Sequence, residues 1–143
     1  MNKIDVVKDA MLSQNDRSDK SYLYADHFQA TNSIGEPAMD KLTWLAMTPM
    51  MAGSFPDFDY VVEDMHEDND GVRVTGHFVG TFTNDLDLSA MGAGVVPATG
   101  KKVTWPTSHS LVSVENDKIT RWHGLDTGAD AGMPGFLRPL GVG

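Results

Sequence analysis

His109 and Asp126 are the two side chains whose types and spacing could carry proton-transfer chemistry in this chain. They flank the turn Glu115-Asn116-Asp117-Lys118, and a short hairpin fixes which residues of its two strands can meet. If the turn is centred on Asn116-Asp117, Glu115 pairs with Lys118. Counting outward then sets Leu111 opposite Trp122, His109 opposite Gly124 and Thr107 opposite Asp126. Alternate residues of a strand share a face, so Val103, Trp105, Thr107, His109 and Leu111 are expected together, joined across the ladder by Trp122, Gly124 and Asp126. His109 and Asp126 become diagonal neighbours roughly 7 Å apart at Cβ, and Gly124 leaves open volume for a ligand opposite the imidazole. The same parity sends Val112, Val114 and Ile119 to the other face, where a subunit interface is the natural cover.

A histidine on an apolar face is commonly a core residue satisfied by a neighbour. A carboxylate there is different, because burying it costs several kcal/mol unless it is paired or changes its protonation. Asp126 is therefore a functional candidate, the alternative being that it is simply paired with His109 or marks the end of the strand. As a base it would abstract a proton α to a carbonyl, with His109 donating to the developing enolate or orienting the carboxylate. Trp105, Trp122, Phe78 and Phe82 would supply apolar walls that exclude water. Activation of water by Asp126 is an alternative, and neither Arg73 nor Arg121 shares the expected face of Asp126 to assist it. A non-catalytic ligand-binding or protein-contact module is the rival from another class.

These residues must be held by a sheet. Phe58 to Met65 and Val72 to Thr83 read as strands joined by an acidic turn ending Asn69-Asp70-Gly71, followed by Val103 to Val114 and Ile119 to about Asp126. In the second strand Val72, Val74, Gly76, Phe78, Gly80 and Phe82 share a face, and His77 lies on the other, at a surface or interface. Glycines alternating with phenylalanines suit a sharply bent strand lining a cavity. Ahead of the sheet, Ile4 to Leu12, Ser21 to Phe28 and Ala38 to Met51 have apolar residues at helical intervals. Helices first and antiparallel strands afterwards predict an α+β layer architecture. Asn84 to Lys102 is too long for a hairpin turn and is either a lid or a subunit-contacting or disordered loop. The Gly- and Pro-rich tail from Gly128 is expected to pack over an opening.

Composition narrows the functions further. The 143 residues suit one domain, 41% of them hydrophobic, with no run long enough to span a membrane and no apolar stretch of a secretory signal at the start. A cytoplasmic protein is the expectation. Cysteine is absent, which removes disulfides, thiolate metal sites and cysteine nucleophiles, and the scattered histidines form no metal motif. Eleven basic against twenty acidic residues give a net charge of −9, which argues against a nucleic-acid partner. Nine methionines fit either ordinary core filling or the walls of an irregular apolar cavity.

Six fragments in order carry a family resemblance: YLYADHF, SFPDFDYVVEDM, VRVTGHFVGTFT, PATGKKVTW, NDKITRWHGLD and FLRPLGV. From about Ser18 to Val142 the sequence resembles the SnoaL-like polyketide cyclases of the nuclear-transport-factor-2-like superfamily. The resemblance implies a cone-shaped, curved antiparallel sheet wrapped around N-terminal helices, the cystatin-like α+β barrel. It also implies homodimers or homotetramers, and ring closure by intramolecular aldol condensation without a cofactor or metal. Asp126 matches the family's acid/base aspartate and His109 its pocket histidine, and the substrate-binding set is expected to include Tyr24, Thr107 and Gly124 with the aromatic walls. The ligand implied is a small, apolar, carbonyl-containing molecule. Where the family pattern reads GTHTG, this chain has Gly80-Thr81-Phe82-Thr83-Asn84, so Phe82 replaces a frequent pocket histidine.

Overall fold

In a computed structural model that describes residues 2–11, 19–89, 94–128 and 131–141, the chain forms a curled, mixed sheet with a few helices. The first element, α1 (Lys3–Asp9), starts where Asn2 accepts from the Asp5 amide, a cap worth about 1 kcal/mol. Its Val6 and Val7 are fully buried, each contributing about 1.5–3 kcal/mol relative to exposure. They meet Phe28, Val72, Val112 and Ile119 in one core cluster, so α1 lies against the concave face of the sheet.

The segment Ser21 to Phe28 is not the helix its spacing suggests. A single 3₁₀ turn (Ser21–Leu23) leads into strand β1 (Tyr24–Asn32), which pairs parallel with β9 (Lys118–Gly124). The sheet is therefore mixed, where antiparallel pairing throughout was expected. The register of β1 shifts between Tyr24 and Gln29, which breaks the alternation a strand normally shows. Short β2 (Met39–Asp40) then gives way to α2 (Lys41–Ser54), capped by the Asp40 carboxylate on the Thr43 amide. Pro49 sits within α2 and removes the N–H that the Leu45 carbonyl would otherwise receive.

Strands β3 (Asp59–Asp68) and β4 (Gly71–Thr81) form the long hairpin expected around Asn69-Asp70. Gly71 has φ of 146°, and a Cβ there would stand 2.5 Å from the Val112 carbonyl oxygen, so the turn needs glycine. The expected single strand from Val103 to Val114 is broken at Pro106 into β7 (Lys102–Thr104) and β8 (Ser108–Glu115), both paired with β4. The main sheet runs β2-β1-β9-β8-β4-β3.

Within Asn84 to Lys102, β5 (Leu86–Asp87) and β6 (Val95–Val96) pair with each other, and Leu86, Leu88 and Val96 are buried with Phe55, Phe82 and Trp105 in a second core cluster. Residues 90–93 of that loop lie outside the described residues. The tail forms α3 (Gly132–Leu137) and a 3₁₀ turn (Arg138–Leu140), tied down by the Trp105 indole donating to the Phe136 carbonyl. Among the described residues no helix is long and apolar enough to cross a membrane.

Candidate functional site

A cavity of about 700 Å³ opens between α2 and the concave face of the sheet. Trp44, Met47 and Met51 of α2 face Tyr60, Phe78 and Trp122 of the sheet across it, and Phe136 of α3 closes one end. Its shape comes from strand irregularities. In β3 the register shifts between Val62 and Asp64, leaving Glu63 as an extra residue. A bulge reverses the parity of the residues beyond it. So Met65 on one side of the bulge and Tyr60 on the other both turn inward, while Val61 and Val62 between them are 39% and 40% exposed. The Tyr60 ring lies 4.7 Å from that of Phe78 and crosses Gly76.

A second bulge decides where the proposed dyad stands. Asn116 and Asp117 have φ of 52° and 63°, the left-handed pair that a type I′ turn requires. Glu115 pairs with Lys118 as the count demands, and Val114 with Ile119. Thr120 is then an extra residue, so Ser113 pairs with Arg121, Val112 with Trp122 and Ser110 with Gly124. The expected register, with Leu111 opposite Trp122 and His109 opposite Gly124, is off by one residue from the bulge onward. One residue changes faces completely. Ser108, Ser110 and Val112 turn inward, whereas Thr107 is exposed and the His109 side chain is 54% exposed. Val112, Val114 and Ile119, expected on the outer face, are buried in the core.

His109 and Asp126 nonetheless meet. The His109 ring Nδ1 lies 2.9 Å from Asp126 Oδ1, and the His109 backbone N–H donates to Oδ2 at 2.8 Å. A strand N–H points along the sheet toward its neighbour, so the carboxylate sits at the sheet edge beyond Gly124, where a ladder carbonyl would otherwise be. The Leu125 amide donates to the His109 carbonyl and continues the pairing there. Against an ionised carboxylate the Nδ1 carries the proton, which leaves Nε2 directed away from Asp126. A neighbouring outer-face cluster is built on Glu63, whose Oε2 accepts from His77 at 2.9 Å and from Thr107 at 2.8 Å. These bonds, His77's first, hold the Glu63 carboxyl below the usual range, and the charge of His109 adds to the effect.

Of the residues expected around the ligand, Trp122, Phe78 and Tyr24 line the cavity. Phe82 is fully buried and stacks on Phe55 with ring centroids 4.8 Å apart, and Trp105 packs against Phe55, Phe58 and Phe136, so both belong to the second core cluster. Gly124 stands opposite Ser110 and beside Asn32. Asp126, with its side chain 32% exposed, is outside the lining but close enough for its charge to reach the Tyr60 phenol.

The curled, mixed sheet with its few helices agrees with the comparisons. The family model for SnoaL-like polyketide cyclases matches residues 7–129. The chain belongs to that family. Among solved structures, a proposed SnoaL-like polyketide cyclase from Jannaschia sp. CCS1 is similar at 17% identity and a TM-score of 0.56, covering 72% of this chain and 66% of that one. A cystatin-fold protein from Novosphingobium aromaticivorans matches at 14% identity and a TM-score of 0.64, over 88% and 99%. An epoxide hydrolase from Mycobacterium tuberculosis matches at 15% identity and a TM-score of 0.59, over 86% and 80%. At these identities the likeness is one of fold. No match was found among curated protein sequences.

The cavity residues that sequence reasoning missed include Tyr60, Ser108 and Ser110, and Trp44 and Phe136 of the apolar wall. The signal for the two serines was the alternation of β8, read one residue out of step. For Tyr60 it was a large aromatic two residues from Phe58 in a strand pairing with β4, hidden by the Glu63 bulge.

Proposed function

We propose that the protein acts on a small, mostly apolar carbonyl compound held in the cavity, by acid/base chemistry that needs no cofactor. Asp126 is the base in this reading. Its carboxylate takes the proton from the carbon next to the carbonyl, the C–H electrons move into the carbonyl to form an enolate, and the enolate closes a ring on a second carbonyl or is reprotonated at another carbon. The proton then returns from Asp126. His109 holds the carboxylate through two hydrogen bonds, which occupy two of its roughly four lone-pair positions and leave others for the substrate. The observation that carries the reading is the Asp126 carboxylate held by the His109 backbone N–H and ring Nδ1, beside the Tyr60 side of an apolar cavity.

Water activation in the manner of an epoxide hydrolase is less well supported. Arg121 is engaged with Thr31 and lies near His123, and Arg73 is paired with Asp68, so neither stands between two carboxylates beside the cavity. A non-catalytic carrier is favoured by one observation, that Asp126 is not itself part of the cavity lining. The same reading expects a cytoplasmic homodimer or homotetramer joined through the outer sheet face.

The test is exchange of a ketone's α protons in deuterated buffer, followed by proton NMR for wild type and Asp126→Asn. Asparagine keeps an acceptor for the His109 amide while losing the base. Exchange by wild type, lost in the variant with ligand binding retained, supports the enzyme. Binding by both proteins with exchange by neither supports the carrier.

A further inference from the structure

The polar groups of the cavity lie unevenly. On the sheet side they are hydroxyls, from Tyr24 of β1, Tyr60 of β3 and Ser108 and Ser110 of β8, and the other polar side chains of the lining are Asp19, Lys20 and Thr48. Ser110 is buried and faces Gly124, which contributes no side chain. The Tyr60 phenol reaches this wall because Gly76 has no Cβ: one there would stand 2.7 Å from Cζ and 2.8 Å from the hydroxyl oxygen. The Ser108 hydroxyl donates to the Gly76 carbonyl oxygen at 3.4 Å and stands within hydrogen-bond reach of that phenol. Burial pushes the Tyr60 phenol up to about 12, with the charges of Glu63 and Asp126 adding to the rise and the Ser108 bond opposing it. Tyr60 is therefore a donor at any physiological pH. The charges that keep its proton in place also raise the energy of a negative ligand beside it.

We propose that Tyr60, backed by Ser108, is the oxygen-recognition group of the cavity: its hydroxyl donates to the carbonyl or hydroxyl oxygen of an uncharged, otherwise apolar ligand, and the site turns carboxylates away. The inference rests on the cavity being the ligand site. It adds which atom of the ligand goes where, and which ligands are refused. The aromatic and methionine side chains on the α2 side take the apolar body, and the sheet wall takes the oxygen. Among the described residues the lining holds one carboxylate and one ammonium, Asp19 and Lys20, which leave it without net charge, while Glu63 and Asp126 act on the Tyr60 phenol from outside the lining and repel a carboxylate placed against that wall.

Isothermal titration calorimetry of the full chain with three probes of one shape tests this: 2-ethylnaphthalene, 2-acetylnaphthalene and 2-naphthoate at pH 7.5. The ketone is expected to bind roughly threefold to tenfold tighter than the hydrocarbon, the yield of one neutral hydrogen bond. Naphthoate is expected to bind at least roughly tenfold more weakly than the ketone. Tyr60→Phe should erase the ketone's advantage while hydrocarbon binding persists, and Ser108→Ala, which leaves the ring in place, should reduce it. The infrared carbonyl stretch of bound ketone should be lowered in wild type and return upward in Tyr60→Phe. Hydrocarbon binding with a ketone preference that Tyr60→Phe leaves unchanged overturns the donor assignment alone, and naphthoate binding as tightly as the ketone overturns the charge selectivity. Failure of all three probes to bind overturns the cavity reading, and the inference falls with it.

Discussion

The Tyr60 ring lies across Gly76 so closely that a Cβ there would stand 2.7 Å from its Cζ. The same Cβ would be 2.5 Å from the Val61 carbonyl oxygen, which is backbone and cannot swing aside. Gly76→Ala should therefore destabilise the protein by about 1–3 kcal/mol through overpacking, although alanine is ordinarily as acceptable as glycine in a strand. Urea unfolding followed by circular dichroism would read this as a lower midpoint. An unchanged midpoint would mean that β3 and β4 are further apart than described.

The Thr120 bulge makes a stability prediction that separates two neighbours. Val112 is fully buried and pairs with Trp122, whereas Leu111 is half-buried on the other face. Val112→Ala should cost about 2 kcal/mol or more, from the lost methyl groups and the cavity left behind, despite removing less side chain than Leu111→Ala. Leu111→Ala should cost less. The reverse order would restore the register without the bulge.

Acid should weaken the fold in two stages. Burial, with Arg121 nearby, lowers the His123 imidazole below its usual 6.5. The unfolded chain therefore binds the proton more readily, and stability falls as the pH drops below about 6.5 until the folded group also titrates. Asp57 is held below the usual carboxylate value of 3.8, chiefly by the Thr81 amide donating to it. Its contribution is present above 3.8 and is lost as the pH falls through its lowered folded value. Thermal melts from pH 8 to pH 3 should show both declines, and His123→Gln should remove the upper one. A melting temperature flat between pH 7 and pH 5 would contradict the His123 assignment.

The outer sheet face carries Glu63, His77, Thr107 and His109 beside Asp126. If this face joins subunits, sedimentation equilibrium should give a dimer or tetramer, and Thr107→Arg, placed on that face away from the cavity, should shift the population toward monomer. A monomeric wild type at micromolar concentration would refute the interface.

Both hairpins could be read from the sequence because Asn69-Asp70-Gly71 and Asn116-Asp117 state their backbone geometry locally. The face shared by Val72, Val74, Gly76 and Phe78 could be read for a similar reason, since β4 keeps its alternation throughout. Bulges are different. Glu63 and Thr120 differ from their neighbours in no way that marks an extra residue, because a bulge is settled by how the sheet curls over the core. Each reverses a face, which is why Tyr60 was overlooked and His109 was expected inside. Strand β1 was hidden likewise: its buried Tyr24, Ala25, Phe28 and Ala30 straddle a register shift and mimic helical spacing. The turn predicts His109 and Asp126 as a diagonal pair facing the pocket; the two do meet, but outside the cavity lining, because Asp126 lies beyond the end of β9 and reaches back to His109.

The most direct test of the account is a crystal structure with 2-acetylnaphthalene bound. The account predicts the naphthalene between Trp44 and Phe78, the carbonyl oxygen at Tyr60, and the methyl carbon within about 3–3.5 Å of an Asp126 oxygen, as proton abstraction requires. A ketone seated in the cavity with that carbon walled off from Asp126, or bound on the outer face beside His109, would contradict Asp126 as the base.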